Sequence, residues 1–182
     1  MGLKLNGYTL EEVEATMEEL AAKPETGMLR WKSRVKWDAH FGLDVRTNAI
    51  EQLGKPMPRH FTMRMDHPPE FLGENTGPTS VEALLASLGS CMCATFAAQA
   101  TARGVAIKSL TIDVESTLDI RGFFGLADVR SGLLGVKLTY NIDADAPKEA
   151  LDEILEATRK HSVVYDSLTR PVAIEAVIRT AP

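Results

Sequence analysis

From Ala83 to Ala102 the chain runs twenty residues without a charge. A segment of that length and apolarity either crosses a bilayer or lies in the middle of a core, so it constrains the fold more than any other feature. Its start and stop are both written in the sequence. Thr79-Ser80-Val81-Glu82 has the Thr-x-x-Glu spacing of a capping box, and Gly104 stands where a glycine ends a helix. Ser87, Gly89, Ser90, Thr95, Gln99 and Thr101 dilute the run, and no aromatic belts flank it. The expectation is a buried central helix, with no membrane span.

The rest of the chain sets the class. A length of 182 residues suits one domain with a core that needs no staples. Twenty basic against twenty-five acidic residues give a net charge of -5, which argues against a nucleic-acid partner. Two cysteines are too few for a disulfide scaffold. The segment "MGLKLNGYTLEEVEATMEEL" has no apolar signal core, and Asn6 stands where a myristoylation site wants Ser or Thr. A cytoplasmic location is expected.

Periodicity then orders the elements. Thr9-Leu10-Glu11-Glu12 is a capping box for a helix to about Ala22, punctuated by Pro24 and Gly27. From Leu29 the period becomes two, with Leu29, Trp31, Ser33, Val35 and Trp37 on one face of a half-buried strand. Further strands are expected at Gly42 to Ala49 and His60 to Asp66, then a Pro/Gly/Asn-rich loop to Pro78. After the long helix come strands at Lys108 to Leu118 and Gly135 to Ile142, joined by a hairpin through "DIRGFFGLADVRSGLL". A helix from Asp145–Pro147 to about His161 and a last strand through Val172, Ile174, Ala176 and Ile178 complete the order. The sequence α-βββ-α-ββ-α-β predicts an α+β fold.

Cys91 and Cys93 both fall inside the uncharged helix. At 100° per residue, Val81, Leu84, Leu85, Leu88, Met92 and Thr95 form one face. Cys91 borders that face, about 60° from Leu88, and Cys93 lies about 200° beyond Cys91. Their side-chain vectors diverge, which disfavours a disulfide or a shared metal. A lone buried cysteine is ordinarily a small hydrophobe; a reactive one needs a partner that lowers its pKa. His40, His60, His67 and His161 show no metal-ligand spacing, and there is no P-loop, G-x-G-x-x-G or G-x-S-x-G motif. No cofactor or metal is expected.

The stretch "GPTSVEALLASLGSCMC", with the Asp-x-Pro loop before it and "HSVVYDSLTRPVAIEAVI" after it, resembles the OsmC/Ohr family of osmotically inducible and organic-hydroperoxide-resistance proteins. The resemblance covers about Met28 to the C-terminus. It divides the chain into a helical extension at 1–27 and an OsmC-like domain at 28–182. It implies an obligate, intertwined homodimer in which antiparallel sheet from both chains wraps long central helices, with reactive sites at the interface.

The resemblance also implies chemistry. Cys91 matches the family's nucleophilic cysteine, and Cys93 does not. In peroxidase members that thiolate attacks a peroxide O–O bond, and a second cysteine resolves the sulfenic acid as a disulfide. Here the resolving position, in a motif reading His161-Ser162-Val163-Val164, holds Ser162. An arginine holds the thiolate and a glutamate orients it in the family. Arg64 best resembles that arginine, and Arg46 is a second candidate on structural grounds. The glutamate position holds Val81; Glu82 is one step nearer, rotated by about 100° and shared with the capping box.

Two functions follow as expectations. One is a thiol peroxidase or redox protein acting on a peroxide or small thiol through Cys91 without an internal resolving cysteine. The other is a non-enzymatic dimer binding a small apolar or thiol-reactive ligand at its interface.

Overall fold

The computed structural model describes residues 4–180. The chain divides at Leu85/Ala86 into two compact units.

The first unit is mostly short antiparallel strands. β1 (Lys4–Leu5) and β2 (Tyr8–Thr9) form a hairpin whose turn, Asn6-Gly7, has φ of 51° and 85°. Asn-Gly suits that tight turn because both residues tolerate positive φ. α1 (Leu10–Ala22) follows, but Thr9 makes no side-chain cap bond. The expected capping box does not form.

β3 (Leu29–Arg30) and β4 (Ser33–Trp37) replace the single strand expected over 29–37. The break at Trp31-Lys32 sends them to different sheets. β3 pairs with β6 (Ile50–Gln52), which pairs with β7 (Lys55–Met57) through a Leu53-Gly54 turn. β4 pairs with β5 (Leu43–Thr47), which pairs with β8 (Phe61–Met65).

The register puts Val35, Val45 and Met63 on one face, with Trp37, Leu43 and Met65 beside them. That strand is not half-buried, since Val35 is 58% and Trp37 67% exposed. The opposite face is polar and pairs Asp44 with Arg64.

The loop after β8 is built on one carboxylate. Asp66, 2% exposed, accepts from the backbone N–H groups of His67, Glu74 and Thr76 and from the Thr76 hydroxyl, at 2.8–3.2 Å. The Thr76 hydroxyl first, then the three N–H donors, overcome burial and bring its pKa down to about 2. Gly73 has no room for a side chain, because a Cβ there would sit 1.9 Å from the His67 carbonyl oxygen.

α2 (Ser80–Thr101) starts in the first unit and continues through the second. By length and composition it is apolar enough to cross a membrane, yet its buried residues form a stripe fitting a core contact. Leu88, Met92, Phe96 and Ala100 recur every fourth residue and are at most 4% exposed. The stripe is turned from the expected face: Leu84 is 37% exposed, and Phe96, outside that face, is fully buried.

β9 (Ile107–Thr117) and β10 (Gly135–Ala144) form a long antiparallel pair. Gly89 lets α2 approach it closely, since a Cβ there would meet a Val114 methyl at 2.8 Å. Phe96 and Ala100 of α2 join Ile154 of α4 (Lys148–His161) in the core, flanked by Leu110, Tyr140, Ile142 and Leu151.

The expected hairpin of β9 and β10 forms, with a short helix in its connection, whereas the expected last strand does not form. The 118–134 connection contains a short helix, α3 (Ile120–Phe124), because the Asp119 carboxylate caps it by accepting from the Arg121 N–H. No strand forms at 172–178. That segment follows α5 (Val163–Thr169), and no sheet edge among the described residues pairs with it. Ile174 and Ile178 are 90% and 92% exposed.

Candidate functional site

Cys91 sits in the middle of α2, partly buried, with its thiol free. The helix brings it there because Leu88 and Met92 on either side are fixed in the core. Ser162 meets it from seventy-one residues further along, with Oγ 3.2 Å from Cys91 Sγ. Ser162 is completely buried and joins two helices. Its N–H donates to the Thr158 carbonyl at 2.9 Å, closing α4, and its Oγ accepts from the Tyr165 N–H at 3.5 Å, opening α5.

Burial pushes the Cys91 thiol up, because a thiolate loses water there. The Ser162 hydroxyl, the Val164 N–H, the Thr95 hydroxyl and the Val163 N–H all act the other way. Together they prevail and hold Cys91 below the ordinary thiol value. Donors that favour the anion make the sulfur a better-populated nucleophile at neutral pH.

Cys93, two residues on, is also a free thiol and partly buried. The α2 helix is unbroken across both cysteines. Among the described residues no group of three His, Cys, Asp or Glu side chains is placed to hold a metal ion.

The other candidate residues lie in the first unit, with contacts of their own. Arg64 donates from Nη1 to Asp44 at 3.0 Å, from Nη2 to Asp38 at 3.1 Å and from Nε to the Thr76 hydroxyl at 3.3 Å. The Asp44 bond, opposed by partial burial and helped by Asp38, raises its pKa further. Arg46 lies on the polar sheet face, opposite Arg34 on one side and Thr62 on the other.

Glu82 closes the capping box of α2. Its carboxylate accepts from the Thr79 N–H at 2.7 Å and the Thr79 hydroxyl at 2.8 Å, and its own N–H donates to Thr79 Oγ1 at 3.1 Å. The Thr79 N–H and hydroxyl, against slight burial and with help from His67, lower its pKa.

Sequence reasoning missed Thr95 and the Val163 and Val164 N–H groups as groups that lower the Cys91 pKa. Thr95 stands four residues after Cys91 on one helix, a spacing that puts them together. The N–H donors needed the α4–α5 junction, signalled only by Ser162 as a good N-cap residue.

The family model described as OsmC-like protein matches residues 73–177, more than half of the chain. The chain belongs to the OsmC-like protein family.

Solved structures agree on the fold. An OsmC-like protein from Mycoplasma pneumoniae is similar with a TM-score of 0.61 at 17% identity, covering 77% of this chain and 87% of that one. The organic hydroperoxide resistance protein OsmC from Legionella pneumophila gives a TM-score of 0.55 at 15% identity, covering 76% and 88%. The organic hydroperoxide resistance protein OhrB of Bacillus subtilis gives 0.51 at 15% identity, covering 78% and 90%. At these identities the likeness carries the α+β, OsmC-like fold. A comparison with curated proteins gives no significant match.

Proposed function

We propose that this OsmC-like protein is a thiol-dependent redox protein that reduces organic hydroperoxides through Cys91 alone. The observation that carries the reading is the Ser162 hydroxyl 3.2 Å from Cys91 Sγ, at the place where the family resemblance puts a resolving thiol. The similar structures from Legionella pneumophila and Bacillus subtilis, both organic hydroperoxide resistance proteins, support the substrate class.

In the reaction the Cys91 thiolate attacks one peroxide oxygen. An S–O bond forms, the O–O bond breaks, and the alkoxide leaves as an alcohol after taking a proton from water. Sulfur is oxidised to sulfenic acid and the peroxide is reduced. A small external thiol then condenses with the sulfenic acid, releasing water and leaving a mixed disulfide. A second thiol attacks that disulfide and restores Cys91.

The protein acts as a soluble homodimer. The exposed apolar face of β4-β5-β8 and the unpaired, alternating segment around Ile174 and Ile178 support this assembly. An obligate interface of this kind buries more than about 2,000 Å². A monomer at micromolar concentration in sedimentation would overturn it.

Ser162 in place of sulfur also suits a non-enzymatic dimer that binds an apolar or thiol-reactive ligand. A panel of alkyl hydroperoxides, read by intact mass, separates the two. Stoichiometric addition of one oxygen atom at Cys91 and turnover with a monothiol establish the redox reading. Unmodified Cys91 throughout the panel refutes it.

A further inference from the structure

We propose that the Ser162 hydroxyl is a catalytic group of this site, donating its proton in a hydrogen bond to Cys91 Sγ and so holding the nucleophile as a thiolate. The inference rests on the reading of Cys91 as the nucleophile. It assigns Ser162 a positive role beyond the absence of a resolving sulfur.

A serine hydroxyl has one proton to give. Ser162 Oγ, 3.2 Å from Cys91 Sγ, can give that proton to a thiolate while its lone pair accepts the Tyr165 N–H at 3.5 Å. The residue is fully buried, so water does not compete for that proton. Its backbone is tied to α4 through Thr158 and to α5 through Asp166, whose N–H donates to the Ser162 carbonyl at 2.9 Å. The hydroxyl is therefore held in place before any substrate arrives, which is what makes a donor effective toward a developed charge.

Among the described residues of this chain, the other groups that lower the Cys91 pKa are neutral as well: the Thr95 hydroxyl and the N–H groups of Val163 and Val164. α2 brings no charge between Ala83 and Ala102. The titratable side chains on the elements around the sulfur are Cys93 on α2, Tyr140 on β10, Arg159, Lys160 and His161 at the end of α4, and Tyr165 and Asp166 on α5, the last paired with Arg170 at 3.1 Å. None of them is among the groups that shift the Cys91 pKa. Hydrogen bonds to the charged form favour it without any counter-ion.

The test is the pH profile of iodoacetamide alkylation of Cys91 in a Cys93→Ser background, with Ser162→Ala, Ser162→Gly and Ser162→Thr. Glycine is tolerated at an N-cap, so Ser162→Gly removes the hydroxyl while sparing the helix start. The midpoint should move to higher pH in the Ala and Gly variants and return in Ser162→Thr. The rate at pH 7 should fall roughly threefold, because lost thiolate is partly offset by the greater nucleophilicity of a more basic sulfur. An unmoved midpoint in either folded hydroxyl-free variant overturns the proposal. A moved midpoint without peroxide consumption keeps it and removes the peroxidase reading. An unmoved midpoint with intact peroxide consumption does the reverse.

Discussion

Ser162 Oγ lies 3.2 Å from Cys91 Sγ, across the junction of two helices. An oxygen at that point can hydrogen-bond the sulfur but cannot close a disulfide with it. The sulfenic acid formed at Cys91 should therefore persist, react with dimedone, or pass to an added monothiol as a mixed disulfide. Excess hydroperoxide should carry it on to sulfinic acid. Mass spectrometry of the Cys91 peptide checks each species. A Cys91–Cys93 disulfide formed without added thiol would refute the account, since it requires α2 to open.

The substitution Ser162→Cys should restore internal resolution. The two side-chain atoms must close by about 1 Å to reach S–S bonding distance, a small movement for two side chains. Hydroperoxide should then give a disulfide between Cys91 and the introduced thiol, and sulfinic acid should be suppressed. Non-reducing peptide mapping reads the bond directly. Continued sulfinic acid formation would mean that the α4–α5 junction is too rigid to let the sulfurs meet.

Asp66 should give the protein an acid limb. Its folded pKa is depressed to about 2, chiefly by the Thr76 hydroxyl and then, against burial, by the N–H groups of His67, Thr76 and Glu74. A group depressed on folding binds its proton more tightly when unfolded. Its contribution is thus complete above the ordinary carboxylate range and is lost as pH falls from about 4 through about 2. Thermal melts across that window should show the loss, and Asp66→Asn should lower the melting temperature at neutral pH and flatten the acid limb. An Asp66→Asn melt identical to wild type at both pH values would remove this carboxylate from the stability of the loop.

Much of this fold was legible because a periodic pattern and a local signal agreed. The capping box at Thr79–Glu82 and the glycine at Gly104 bracket α2, and both are local chemistry. The misread elements depended on partners far along the chain. Strand 29–37 alternates throughout, but two sheets compete for it, so it breaks at Trp31-Lys32. Residues 172–178 alternate equally well and form no strand, because alternation gives a segment an apolar face without supplying a ladder.

The site divides in the same way. The resemblance pointed to Cys91 and to Ser162 opposite it, whereas the Val163 and Val164 N–H groups come from a helix junction that no periodicity encodes. The β1–β2 turn was a plain miss, since Asn6-Gly7 is among the strongest hairpin signals a sequence can carry.

Tyr140 offers a test of the core that leaves Cys91 untouched. Its ring packs on Phe96 with centroids 5.7 Å apart, while its hydroxyl is buried without a hydrogen-bond partner among the described residues. Burial pushes the hydroxyl up to about 12, opposed by Arg159 and reinforced by Cys93 and Tyr165. An unsatisfied buried hydroxyl costs its desolvation and returns nothing, so Tyr140→Phe should keep the packing and raise stability by about 1 kcal/mol. Tyr140→Ala, which removes the ring, should instead cost about 3–5 kcal/mol. The pH dependence supplies an independent sign. Because the folded pKa is raised, the folded state holds this proton more tightly, and wild-type stability should decline as pH rises from about 10 toward 12. Tyr140→Phe should lack that part of the alkaline limb. Urea titrations of the three proteins at pH 7 and in the alkaline range measure both effects. A Tyr140→Phe protein less stable than wild type would mean that the hydroxyl has a hydrogen-bond partner in solution, as a partner subunit of the proposed dimer would supply.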